Sequence, residues 1–256
     1  MTCAVRARGL TFAYTAGGDV LAGLDLTVAH GERVAVLGPN GAGKTTLMLH
    51  LNGLLRGEGE LEVAGLSVCG DTLGALRARV GLVFQDPDDQ LFMPTVAEDV
   101  GFGPRNLGLG DAEVLERTRR ALGAVRMEKA GARPPHQLSM GERRRVAIAG
   151  VLAMEPELLV LDEPSANLDP RARRELLDVL AALDRTLLVV THDLAFAAEL
   201  CERAVILSHG RIAADGPCAE LLADPELLTR HDLELPAGFD PTRVTRRPRP
   251  ADRRPR

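Results

Sequence analysis

Apolar residues along this chain fall in short unbroken runs, separated by stretches with a helical period. Arg33–Leu37, residues 158–161 and Thr186–Val190 are too short for helices and almost wholly aliphatic, which is how a strand buried on both faces reads. The first of these runs into a glycine-rich turn and then a helix over residues 44–54. Between the other two, Asp169 is placed to cap a helix that has Pro170 at its first position. Leu176, Leu177, Leu180 and Leu183 form the apolar stripe of that helix. The opening section is different. Residues 5–14, 20–29 and 59–63 alternate as antiparallel strands do, residues 80–84 make one more short strand, and residues 95–153 are mainly helical in pattern. The expected fold is α/β, a parallel-sheet core carrying an antiparallel β subdomain and an α-helical subdomain.

Composition narrows this further. The chain has 256 residues, 45% hydrophobic and 26% charged, which excludes wholesale disorder. No apolar run approaches the ~20 residues of a membrane span, and residues 1–10 alternate arginines with small residues, unlike a secretory signal. Cys3, Cys69, Cys201 and Cys218 lie far apart without metal-type pairing, which suits a reducing cytosol. Net charge is −5, but residues 236–256 hold seven arginines and two aspartates, leaving a body of net −10. So acidic a body argues against a generic nucleic-acid binder. With no tryptophan and Tyr14 as the sole tyrosine, there is no aromatic platform for single strands either. Residues 236–256 themselves, Pro- and Arg-rich, are expected to be a disordered tail, either simply solvated or in contact with anionic lipid or RNA.

Gly38-Pro39-Asn40-Gly41-Ala42-Gly43-Lys44-Thr45 fits the phosphate-binding pattern G-x-x-x-x-G-K-[ST], between a strand and a helix as that motif requires. Its glycines let backbone N–H groups curl around phosphate oxygens, and the helix start adds partial positive charge. Lys44 is one of only two lysines in the chain, against 29 arginines. It offers a point charge to the β- and γ-phosphates, and Thr45 offers a hydroxyl to Mg²⁺. Nucleotide binding follows.

The strand at 158–161 delivers Asp162 and Glu163 to its C-terminal edge, facing the crevice of the phosphate loop. Adjacent side chains point different ways. Asp162 is therefore expected in the Mg²⁺ shell, and Glu163 near the water that attacks the γ-phosphate. Gln85 and His192 end two other strands, one within reach of Mg²⁺ or the water, the other of the γ-phosphate. Ser139 and Glu142 spell a capping box before a helix over 143–153. A helix start is also an anion site, so capping and ligand binding are both open there.

With these residues in their order, the chain resembles the ATP-binding cassette (ABC) ATPase family over about residues 1–235, with a helical subdomain near 95–153. In P-loop NTPase terms, the resemblance makes Gln85 the Q-loop, 138–142 the signature, Asp162-Glu163 the Walker B pair, 165–169 the D-loop and His192 the switch. It implies that Tyr14 stacks on adenine and that Thr46 joins the phosphate contacts of Gly38 to Thr45. It further implies a head-to-tail dimer in which Ser139 and Gly141 act on nucleotide bound by the other subunit. ATP and Mg²⁺ are the implied cofactors, with Glu163 as general base or water-positioner. One departure stands out: the usual Leu-Ser-Gly-Gly-Gln is Leu-Ser-Met-Gly-Glu here. If its third position required positive φ, Met140 would be strained by on the order of 1–3 kcal/mol.

A narrower resemblance lies in Gln85-Asp86-Pro87-Asp88-Asp89-Gln90-Leu91-Phe92 and the Gly101-Phe102-Gly103-Pro104 that follows. It is similar to the energy-coupling-factor (ECF) ATPases, most of all the cobalt/nickel-type members, whose acidic segment receives arginine-bearing helices of a membrane T component. The resemblance implies a peripheral protein on the cytoplasmic face of the cell membrane. Its partners would be a second ABC ATPase (homodimer or heterodimer), the T component and a substrate-binding membrane component; no nucleic acid is expected. Vitamin importers share most of these residues, and a soluble nucleotide-switched module is the competing class.

Overall fold

The computed structural model describes residues 3–14 and 18–248. Two sheets organise the chain. The first is antiparallel, with strands β1 (Cys3–Ala13), β2 (Asp19–Ala29), β4 (Glu58–Val63) and β5 (Leu66–Ser67) in the order β2-β1-β4-β5. The second contains β3 (Arg33–Leu37), β6 (Val80–Val83), β7 (Leu158–Asp162), β8 (Thr186–Val190), β9 (Arg203–Ser208) and β10 (Arg211–Pro217), in the order β10-β9-β3-β8-β7-β6. All its neighbours are parallel except β10, which pairs antiparallel with β9.

The aliphatic runs lie in the middle of this second sheet because both of its faces are covered. Alternation along the strands divides the core in two. Val34, Val36, Leu158, Val160, Leu188 and Val190 pack beneath the antiparallel sheet with α1 (Lys44–Leu51) and α2 (Leu73–Arg79). Ala35, Leu37, Leu159, Leu161, Leu187 and Val189 face the other layer. That layer holds α3 (Val96–Asn106), α4 (Asp111–Ala124), α5 (Met140–Leu152), α6 (Pro170–Ala182), α7 (Leu194–Leu200), α8 (Cys218–Leu222) and α9 (Pro225–Arg230). The expected α/β architecture with its two subdomains is what the chain adopts. The first helix ends three residues early, at Leu51, where Asn52 and Gly53 (φ +69°) turn the chain.

The expectation of a disordered tail needs correction as far as residue 248. Phe239, Val244 and the buried Pro241 pack against the helical layer. Arg247 pairs with Asp178 on α6 and donates its backbone N–H to the Glu199 carbonyl on α7, while Arg246 lies 3.7 Å from Glu202. One of the arginines that made this stretch look like a solvated tail, Arg247, finds carboxylates on two helices of the body. Residues 249–256 lie outside the described part.

Candidate active site

Strands β3, β6, β7 and β8 run parallel, so their C-terminal ends open on the same edge of the sheet. The phosphate loop, Gln85, Asp162-Glu163 and Thr191-His192 all follow those ends. Asn40, Gly41, Gly43, Lys44, Thr45, Thr46, Gln85, Asp162 and Glu163, with Val20 from β2, line a cleft of about 360 Å³. Four separated stretches of sequence thus meet in one place.

Two glycines of the loop are obligatory. Gly38 lies so near β9 that a β-carbon would sit 2.1 Å from the Leu207 carbonyl oxygen. Gly43 caps α1 at φ +100°, where a side chain would also come within 2.8 Å of the Val20 oxygen. Lys44 is buried, and its ammonium donates to the carbonyls of Gly38 (2.7 Å) and Pro39 (2.9 Å). Burial lowers its pKa, opposed by the charges of Glu163 and Asp162. The loop's own carbonyls thus hold the ammonium in this structure.

Thr45 donates its hydroxyl to Asp162 at 3.3 Å. Burial, and then the charge of Glu163 next door, raise the Asp162 pKa; Thr45, Lys44 and Arg144 act against this. Two carboxylates crowded beside a hydroxyl and the Gln85 amide form an oxygen-rich, over-negative pocket, a donor set that fits a hard divalent cation shared with phosphates. Among the described residues no group of three or more His, Cys, Asp or Glu has metal-ligand geometry.

Glu163 sits in the left-handed region at φ +43°, unusual for a residue with a side chain, and its N–H donates to the Val190 carbonyl (2.8 Å). Its carboxylate accepts from the Thr191 hydroxyl at 3.1 Å and from the His192 N–H at 3.1 and 3.3 Å. His192 Nδ1 lies 2.8 Å from Glu163 Oε1, although the ring is two-thirds exposed. In this structure, then, the histidine expected at the γ-phosphate is turned onto the carboxylate. Thr191 was not singled out in the sequence, where a threonine ending a strand carries no signal of its own.

Tyr14, half exposed, stands beside the loop with its hydroxyl 3.5 Å from Thr46 Oγ1. Ser139 and Gly141 are not among the residues lining the cleft; they stand at the start of α5. The capping box is present: Ser139 Oγ accepts from the Glu142 N–H (3.3 Å) and Glu142 accepts from the Ser139 N–H (2.8 Å). That backbone N–H is the main reason the Glu142 pKa is lowered. Met140 has no positive φ, so the anticipated strain does not arise. Gly141 serves packing within its own chain, since a β-carbon there would lie 2.7 Å from Ala172 Cβ on α6.

Three consecutive arginines of α5 tie the surroundings together, and sequence reading passed over them. Arg143 grips both oxygens of Asp88 (2.8 and 2.9 Å). The fully buried Arg144 donates to the carbonyls of Phe84 (3.0 Å) and Ala166 (3.4 Å), and Arg145 pairs with Glu175 (2.7 Å). The acidic segment after Gln85 is consequently less free than its sequence suggests. Asp88 is held by Arg143, and Asp86 caps the turn Pro87–Asp89 by accepting from the Asp88 N–H. Behind that turn opens a groove of about 470 Å³, lined by Asp89, Leu91, Phe92, Phe102 and Met154 among others. Phe92 stands out 62% exposed on its rim.

A family model described as "ABC transporter" matches residues 21–166, more than half of the chain. The chain belongs to the ABC transporter ATP-binding family. It is an ATPase whose hydrolysis is coupled to transport. A Streptomyces coelicolor member whose name, ABC transporter ATP-binding protein, carries no substrate is 63% identical, covering 92% of this chain and 91% of its own. The energy-coupling factor transporter ATP-binding protein of Methanothermobacter thermautotrophicus is 47% identical, with 92% and 78% covered. The cobalt import ATP-binding protein of Rhodobacter capsulatus is 46% identical, with 98% and 91% covered. Among solved structures, CbiO1 from Clostridium perfringens, described as part of a CbiONQ transporter complex, superposes with TM-score 0.81 at 35% identity over 92% of this chain and 97% of that one. A dimeric ATP-binding cassette bound to ADP and phosphate gives TM-score 0.74 at 28% identity, with 84% and 98% covered. Among the described residues, no helix is long and apolar enough to cross a membrane.

Proposed function

We propose that this ATPase works as a head-to-tail pair on the cytoplasmic face of the cell membrane and drives an ECF-type importer, with cobalt or nickel ion as cargo. The observation that carries the dimer is the division of the site. Loop, carboxylates and Gln85 line one cleft, whereas Ser139 and Gly141 stand elsewhere on the same chain. A second copy, or a second cassette, would bring its helix start to the exposed side of the γ-phosphate. Names of relatives support the cargo, one being a cobalt import protein; vitamin import by the same subgroup is the alternative, and specificity would belong to a membrane subunit.

In this reading Tyr14 stacks on adenine. The loop from Gly38 to Thr46 wraps the phosphates, and Lys44 leaves the Gly38 and Pro39 carbonyls for the β- and γ-phosphate oxygens. Thr45, Asp162 and Gln85 would hold Mg²⁺, which supplies charge neutralisation at those oxygens. Glu163, already fixed by Thr191 and the His192 N–H, orients water toward the γ-phosphorus and takes up its proton. The P–O bond to the β-phosphate breaks, and ADP leaves with the electron pair. His192, swung off Glu163, donates to the γ-phosphate.

The groove behind Phe92 is the seat for a membrane partner's helix, and Asp89 is the acid there that takes an arginine from it. Glu163→Gln tests the core of the reading. With Mg²⁺ and ATP it should abolish turnover and hold the protein at twice its monomer mass in light scattering. Hydrolysis at the wild-type rate, or a strict monomer even with a non-cleavable ATP analogue and the membrane partner, would sink it. Asp89→Lys with Phe92→Asp should remove co-purification of that partner from detergent extracts; retention would dismiss the docking seat.

A further inference from the structure

His50 lies on α1, two turns into the helix that begins at Lys44, and it is completely buried. An imidazole in an otherwise apolar layer is costly to desolvate, and an aliphatic residue would fill the same space. Burial pushes the ring toward its neutral form. Its Nδ1 donates to the Thr46 carbonyl at 2.7 Å, one turn back, and its Nε2 has no hydrogen-bond partner. A β-carbon at Gly57 would come within 3.3 Å of that Nε2, so the chain closes over the far side of the ring.

The near side of the ring faces Phe12 on β1. The two rings meet edge to face, centroids 4.8 Å apart at 76°. Phe12 meets Tyr14 in the same way, at 4.9 Å and 87°. The Tyr14 hydroxyl returns to Thr46 Oγ1 at 3.5 Å, the outer limit of a hydrogen bond. Thr46, His50, Phe12 and Tyr14 therefore form a closed circuit from the phosphate loop, through the antiparallel sheet, and back. Tyr14 follows the last residue of β1, half exposed, and is the circuit's least supported member. Among the described residues, Phe12 is the one ring packed against it.

We propose that His50 is a positioning residue for the nucleotide's purine base. Anchored on the Thr46 carbonyl, its ring fixes Phe12, and Phe12 fixes the face that Tyr14 turns to the base. The distance between base platform and phosphate loop is then set by one buried imidazole. This rests on the reading of Tyr14 as the platform, and the test separates the two.

Affinities for a β,γ-imido analogue of ATP and for inorganic tripolyphosphate, measured calorimetrically on the whole chain, provide the readout. Losing one edge-to-face contact should weaken the analogue about fivefold in His50→Leu, while tripolyphosphate affinity stays within twofold. His50→Phe, which keeps an aromatic edge, should recover most of the loss. A merely structural histidine would lower the melting temperature and shift both ligands together, or neither, and either outcome overturns the proposal. Phe12→Leu breaks the circuit at its next link and carries the same expectation, so it decides the matter if His50→Leu does not fold. If Tyr14→Ala weakens the analogue while His50→Leu and Phe12→Leu do not, the positioning role alone falls. If Tyr14→Ala leaves the analogue's affinity unchanged, the platform reading falls with it.

Discussion

At the scale of single residues, the side chains of the candidate site are engaged with one another, in contacts that the proposed ligand would replace. Lys44 is bound to its own loop, His192 to Glu163, and Asp162 to Thr45 in a pocket already too negative. The raised Asp162 pKa has a defined consequence for stability. A carboxyl shifted upward by folding favours the native state while protonated and opposes it once ionised. Asp162→Asn should therefore raise the melting temperature of the nucleotide-free protein at pH 8. That gain should shrink as pH falls toward the ordinary carboxylate range near 4, while Mg²⁺-dependent turnover is lost at every pH. Equal melting temperatures of the two proteins at pH 8 would contradict this. Thr191→Val removes the hydroxyl that Glu163 accepts from without changing side-chain shape much. Loss of one positioning hydrogen bond of about 1–2 kcal/mol should lower kcat roughly tenfold, with ATP affinity little changed, as single-turnover assays would resolve.

Between elements, charged side chains do much of the joining. Arg173 on α6 pairs with Asp193 (2.9 Å) and Glu199 (2.9 Å) on the α7 side, and Asp193 also accepts from the Ser165 hydroxyl (3.1 Å). Burial raises the Asp193 pKa, but Arg173, the Phe196 N–H and Ser165 together bring it below the usual carboxylate value. That contribution to stability is present above the unfolded value near 4 and is lost as pH falls through the lower folded one. Asp193→Asn should thus destabilise by about 2 kcal/mol at neutral pH, and that difference should decline steadily as pH is lowered below about 4, in denaturant titrations across the series. The strap at residues 236–248 closes the same network from the other end, because Arg247 reaches Asp178 and the Glu199 that Arg173 also holds. Truncation after Leu235 removes the partly buried Phe239 and Val244 and the buried Pro241 as well. At about 2 kcal/mol of lost burial, the melting temperature should drop by roughly 4–8 °C; an unchanged transition would mean that the strap adds nothing.

Across the whole molecule, the arginines of α5 connect what the dimer and the membrane partner would each touch. The helix begins at the capping box, and one turn later Arg143 and Arg144 hold the segment around Gln85 while Arg145 holds α6. Movement at the groove behind Phe92 would reach the start of α5 through these links. Arg143→Ala frees Asp88 and loosens one of them. ATPase activity of the transporter complex in vesicles should then lose most of its dependence on transported cargo, without loss of ATP binding. Full retention of that dependence would remove Arg143 from the path.

The linear order of residues already determined the sheet, its two faces, the phosphate loop, the paired carboxylates and the capping box. In each of these the physics is local: a run of aliphatics, a glycine at positive φ, or a side chain three positions from the backbone it caps. Asp162 and Glu163 were legible for the same reason, since a buried strand must end where the crevice opens. What only the tertiary structure decided are pairings between distant segments. A strap that reads as a disordered, basic tail finds carboxylates on α6 and α7, Asp88 is claimed by an arginine 55 residues away, and His192 turns to Glu163. His50 gains its ring neighbour only because β1 brings Phe12 against it. A charge or a ring has no preferred partner along the chain; packing chooses one, because a buried polar group left alone costs more than any local propensity returns.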